Sequence, residues 1–444
     1  MDHATDAPER ERFYRFHLPH PHLPHGLITF PRQLLPWIEP WFLAYACLGI
    51  VQGGMLPVLL PLSPGGSTYA GTIVGVMNLA GLTAPFWGHL ADRRRLHRQV
   101  LLAGILATLV ALLLMPVHLG LPLKAVFAGI LGLGFAAANT VANMFIVEVW
   151  PQEEWDNRIG ALQALSGVGQ VAGLLLAGFV AGRVALAFGV AAALVAAALP
   201  IAWLTLRGDH VPVPRAAAAA HPPVGAEAWT CSPQRLFHIP TREGLKTSLC
   251  ELETPLARLL IIWFVAFVAI SEVLTMFPLA IIRAFGGSAE LPATTYAFAA
   301  AGSLVLYPLA ANIAKRRGAW LVLRAGFAAR AVAIALLAVA FLPWMDSVPL
   351  ALALGAFVVL VLAWPLLGVS GTALVAELTQ GEKGEALGLF NASSSLAGAV
   401  GAFLGGWAME VAGYGTVCAV GAIVVALAAL CSGRATANRP APAG

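Results

Sequence analysis

Twelve long apolar runs, divided by short polar stretches, organise this chain of 444 residues. They fall at about 36–61, 67–91, 98–116, 122–148, 158–181, 184–206, 255–282, 292–314, 319–342, 348–376, 384–409 and 412–432. At 1.5 Å per helical residue each can cross, or nearly cross, a hydrocarbon core of about 30 Å. In lipid every backbone N–H and C=O needs a partner inside the protein, so each run is predicted to be a helix. A transmembrane barrel would show runs of about ten residues with alternating polarity, and none is present. The pattern predicts an all-α polytopic membrane protein with twelve transmembrane helices.

The polar stretches divide the chain further. Residues 207–254 carry prolines, an alanine run from Ala216 to Ala220, and scattered charge, which reads as a linker between six spans and six. The expected organisation is a tail over 1–35, a six-helix bundle over 36–206, the linker over 207–254, a second bundle over 255–432, and a tail over 433–444. The two bundles echo each other. Trp41-Phe42-Leu43-Ala44-Tyr45 is answered by Trp263-Phe264-Val265-Ala266-Phe267. Pro85 to Arg94 is answered by Pro308 to Arg317, and Gly160, Gly173 and Gly178 by Gly388, Gly401 and Gly406. Three matches in order argue for duplication, and parallel repeats around a midplane site are a transporter architecture.

Composition agrees. With 59% hydrophobic and only 11% charged residues, the chain lacks the polar surface a soluble enzyme needs. Of its 26 lysines and arginines, all but Lys124, Arg183, Arg283 and Arg330 fall on one side of the expected topology. The positive-inside rule then places both termini in the cytoplasm of a bacterial inner membrane. The basic balance reflects topology, so no nucleic-acid partner is expected. Five cysteines form no CxxC pair, which argues against a metal or disulfide framework. His17, His20, His22 and His25 lie in a proline-broken tail and are not expected to hold a metal. No nucleotide-binding loop or nucleophile-base pairing appears, so no cofactor or enzymatic step is expected and the driving energy must be a gradient.

One charged knot stands out between the second and third runs: Gly88-His89-Leu90-Ala91-Asp92-Arg93-Arg94-Arg95. With the twelve spans and the central linker, its G-x-L-A-D-R pattern resembles the major facilitator superfamily over about residues 36–432. It departs from that pattern at Arg95, where a glycine is usual. The resemblance implies two pseudo-symmetric six-helix bundles that move a small-molecule substrate by alternating access. It also implies a latch built on Gly88, Asp92, one of Arg93 to Arg95 (Arg93 or Arg94 foremost), and Glu148, with Glu377 in the matching place on the tenth helix. A monomer, with the bilayer and protons as further partners, is the corresponding expectation.

Residues within the spans supply the candidate chemistry. Glu272 lies about fourteen residues into the seventh helix, where an acid costs about 2.5–3.5 kcal/mol on insertion scales unless a cavity or partner receives it. It is the proton-coupling candidate, with an ion pair to Arg330 as its structural alternative. Arg330 itself is expected to snorkel toward the basic loop before the ninth helix. Gln52, Asn139, Asn143 and Asn391 are the cavity candidates; Asn139 and Asn143 are i, i+4 on one helix face. Asn78, Gln163, Gln170, Tyr296, Tyr307 and Ser393 to Ser395 are further polar positions whose commoner use is bonding between helices. Gly160, Gly169 and Gly173 have part of the glycine spacing of drug-antiporting members and double as helix-packing glycines, although Leu174 replaces the expected proline. The proton-relay arginine of such members is replaced by Ala128. The expected activity is export of small amphipathic or cationic compounds. Import of a polar metabolite, or a transporter-like scaffold or assembly factor, are the alternatives.

Overall fold

A computed structural model of the chain describes residues 35–62, 65–94, 96–117, 120–150, 152–180, 182–206, 254–286, 288–341, 349–379 and 383–434. The histidine-bearing tail, most of the linker and the last ten residues lie outside them. Twelve helices among the described residues are long and apolar enough to cross a membrane, and no strand occurs there. We number them α1 (Phe42–Leu59), α2 (Gly66–Arg94), α3 (His97–Leu114), α4 (Leu121–Val149), α5 (Gln152–Val180) and α6 (Val184–Thr205). The second half has α7 (Pro255–Phe285), α8 (Glu290–Arg317), α9 (Ala319–Ala340), α10 (Leu350–Leu378), α11 (Lys383–Ala412) and α12 (Tyr414–Arg434). Several outlast their apolar runs. The helix α5 begins at Gln152 rather than near 158, because a polar turn continues it past the lipid-facing stretch. Thr254 caps α7, its Oγ1 accepting from Ala257 N at 3.2 Å, with Pro255 in the first turn.

Three helices are irregular where the sequence supplies a cause. A six-residue π-helical stretch in α1, Ile50–Met55, precedes Pro57, whose ring crowds the carbonyl of Gly53. A 3₁₀ turn at Ala80–Thr83 interrupts α2 just before Pro85. The break in α10 falls at Ala363, with Pro365 opening the next segment.

Two apolar cores form, one mainly from α1–α6 and the other mainly from α7–α12. Each borrows small residues from the other half: Ala293 and Ala297 complete the first, Ala70 the second. The halves meet along α2 with α11 and along α5 with α8. A duplicated packing rule underlies this seam. Gly173 of α5 presses on the Ile50 carbonyl of α1, and Gly401 of α11 presses on the Val268 carbonyl of α7. Further along, Gly178 meets Glu290 and Ala293 of α8, while Gly406 meets Ser67 and Gly71 of α2. The same glycine pair, repeated 228 residues on, thus packs each helix first within its half and then across the seam.

At the end of the molecule where α1 begins and α12 finishes, Arg158 is buried between two acids. Its Nη1 donates to Glu39 Oε1 at 2.6 Å and its Nε to Glu154 Oε2 at 2.8 Å, with the Trp150 ring 3.3 Å away. Burial holds the Glu39 carboxyl above its ordinary range, while the Arg158 charge and hydrogen bond pull it down.

Candidate functional site

An amide ladder crosses the first half. Asn139 Nδ2 of α4 donates to Gln52 Oε1 of α1 at 2.8 Å. Asn143 Nδ2, one turn on, donates to the Asn139 carbonyl at 2.8 Å, and Gln163 Nε2 of α5 reaches Asn143 Oδ1 at 3.3 Å. The irregular stretch of α1 holds Gln52, and Gly169 and Gly173 bring α5 against that same stretch. Gln163 is exposed and the other three are half-buried, so the ladder borders open space beside the seam. Its four side chains supply donors and acceptors without charge. Asn391 of α11 is exposed and stands apart from the ladder; among the described residues it makes no hydrogen bond.

The seam is closed at the end away from the start of α1 and the close of α12. Contacts between α2 and α11 run from Ser67 and Glu410 through Gly75 with Phe403 to Gly81 with Ser395. Ser67 N and Oγ donate to Glu410 Oε2 at 3.1 and 2.6 Å, so an acid from one half caps the first turn of a helix in the other. Gly65 and Gly66, at φ +134° and +90°, give the chain the left-handed entry this cap requires. Nearer the termini α2 leaves the seam and packs on α4, where buried Gly88 faces Met144 and Thr140. The side chains of Asp92, Arg93, Arg94 and Glu148, the latch candidates, lie outside the described residues. Glu377 is exposed near the terminal end of α10.

The superfamily model matches residues 41–369 and 259–444. The chain belongs to the major facilitator superfamily. Among solved structures it is similar to the nucleoside transporter NupG, with a TM-score of 0.70 at 12% identity over 93% of this chain and 100% of that one. It is similar to a D-xylose-proton symporter, with a TM-score of 0.64 at 16% identity over 90% and 96%. A third is the POT family transporter PepTSo, with a TM-score of 0.67 at 13% identity over 92% and 98%. Identities this low establish the shared fold alone. No curated protein matches the chain by sequence. The superfamily makes this chain a multi-pass membrane transporter.

Within that transporter fold, Glu272 sits two residues from the middle of α7, yet it turns away from the ladder. Its backbone packs on Gly405 of α11, and its side chain borders a crevice of about 260 Å³ with Val268, Val400 and Val420. It is the one carboxylate near mid-depth of a described helix, and among the described residues it has no hydrogen-bonding or charged partner. The alternative, an ion pair with Arg330, is not formed, and Arg330 does not snorkel as expected. Only 2% exposed, Arg330 lies under the Trp364 ring at 5.4 Å, and among the described residues its Nε and Nη1 have no acceptor. The break in α10 puts Trp364 there, and no local sequence signal marks that contact.

The glycines also need one correction. Gly169 and Gly173 pack on α1, but Gly160 faces open space, because α5 reaches α1 only two turns later. The spacing shared with antiporting members is therefore a packing pattern at two of its three positions. The Ser67–Glu410 cap was not foreseen. Glycines followed by serine at the start of α2, with a lone acid in the last turn of α11, were its only traces.

Proposed function

We propose that this transporter is gradient-driven and exports small amphipathic or cationic compounds from the cytoplasm of a bacterial cell. It works by alternating access of its two six-helix bundles, 36–206 and 255–432, across the inner membrane, as a monomer with both termini inside. The observation that carries the reading is Glu272, a mid-depth carboxylate in apolar surroundings that is unpaired among the described residues. Such a group is stable there only when neutral or when facing a cation, so proton and cargo have a common point of action. Gln52, Asn139, Asn143 and Asn391 line the path, and the ladder hands its hydrogen bonds to cargo as the halves rock. Gly88, Asp92, Arg93 or Arg94, Glu148 and Glu377 hold the terminal side shut in the opposite state.

Everted vesicles that carry the chain, with a fluorescent cation such as ethidium added outside, test this. An imposed pH gradient should drive dye inward through the wild type and not through Glu272→Gln. Equal movement in both would remove Glu272 from coupling.

A second reading, import of a polar metabolite, draws on the amide ladder, whose donors and acceptors suit a hydroxylated cargo. The nucleoside transporter and the xylose-proton symporter share the fold. Growth on single nutrients against resistance to toxic cations separates the two.

A further inference from the structure

We infer that the crevice beside Glu272 is a binding site for a lipophilic amine arriving from the bilayer, not from the central seam. This rests on the reading above for the charge of the cargo and adds its point of entry. The stripe Val265, Ala269, Glu272 lies on the face of α7 opposite Trp263 and Phe267, which stack on each other at 4.8 Å inside the second bundle. The crevice is closed on its other sides by Val400 of α11 and by Val420 and Gly421 of α12. The helix α12 packs against α7, α9 and α11 of its own bundle, so this is an outer flank and not the seam. At its mouth Val265 is 47% and Val420 54% exposed, to lipid when the helices span a membrane.

Three features select the occupant. The space, about 260 Å³, holds a small aromatic or branched body, and Gly421 lines it without a side chain of its own. Its lining is apolar except for one carboxylate, which asks for a single positive charge with N–H donors. The depth excludes the bilayer's own headgroups: Glu272 is about 3 Å from the middle of α7, whereas headgroups begin about 15 Å from the bilayer centre. An acyl chain would fill the crevice and leave the charge unmet. A protonated amine on an apolar body meets both demands.

The test uses the full chain in lipid nanodiscs, with 2-phenylethylammonium as probe and 2-phenylethanol, of the same shape without charge, as control. Saturation-transfer NMR should show the amine bound and the alcohol bound at least tenfold more weakly. Glu272→Gln should abolish that preference. Val420→Trp, at a lipid-exposed position where folding is safe, should weaken the amine at least tenfold by blocking the mouth while Glu272 remains. Equal binding of the two probes, or an amine preference that survives Glu272→Gln, overturns the site. So does unchanged amine affinity in Val420→Trp. Failure of the export reading looks different: amine binding that depends on Glu272 and Val420, with no pH-driven flux in vesicles, leaves the site standing and removes the function.

Discussion

Arg330 is a full charge at the middle of α9 with two buried guanidinium nitrogens unpartnered and, among the described residues, no acid beside them. An aromatic face offsets part of the desolvation, since a guanidinium over Trp364 gains about 1–2 kcal/mol when desolvated. That does not cover the roughly 2.5–3.5 kcal/mol an arginine costs at helix centre. Replacing it with an apolar chain of similar length should therefore help folding. Arg330→Met is expected to unfold at a temperature equal to or above the wild type in a detergent melt. A fall of several degrees would mean that an acceptor pairs with it. Depth along a helix was legible for both Arg330 and Glu272, because the apolar runs fix where each helix begins. Facing was not legible: one residue turns the side chain by 100°, and the break at Ala363 that delivers Trp364 leaves only a proline as its trace.

Elements show the same division between what spacing reveals and what packing decides. The twelve helices could be read from hydropathy because lipid leaves the backbone no other way to satisfy its hydrogen bonds. Their ends shifted, as at Gln152, where charge ends the apolar signal but not the helix. The glycines of α5 were visible as a spacing, yet only the packing tells them apart. A Cβ on Gly173 would collide with the Ile50 carbonyl, a backbone atom held by the π-helical stretch of α1. A Cβ on Gly160 would meet nothing. Gly173→Ala should destabilise by about 1–3 kcal/mol or more, as overpacking does, and lower the yield of folded protein. Gly160→Ala should be neutral or stabilise by about 0.5–1 kcal/mol through the better helix former. Parallel melts of the two variants check this, and similar behaviour would mean that α1 and α5 are not in register as described.

The whole molecule is caught with one end of its seam shut, and the Ser67–Glu410 cap is a polar fastening at that end. Arg283 of α7 lies beside the same carboxylate, so the cap ties three helices from two halves. Rocking the halves must separate Glu410 from Ser67, whereas the glycine contacts deeper in the seam, at Gly71 and Gly406, have only apolar packing to lose. Glu410→Ala should therefore favour the state open at that end. Asn78 reports it, since it faces Gly398 inside the seam, half-buried. With Cys47, Cys231, Cys250, Cys418 and Cys431 changed to serine, Asn78→Cys should resist a membrane-impermeant maleimide applied from the side opposite the termini. Adding Glu410→Ala should raise its labelling from that side several-fold, while Gln163→Cys, bordering the space beside the ladder, should lose labelling from the terminal side. Reciprocal change at the two positions is what alternating access requires of one rigid seam. Labelling that rises at Asn78 without falling at Gln163 would show a loosened end instead of a rocking pair of halves.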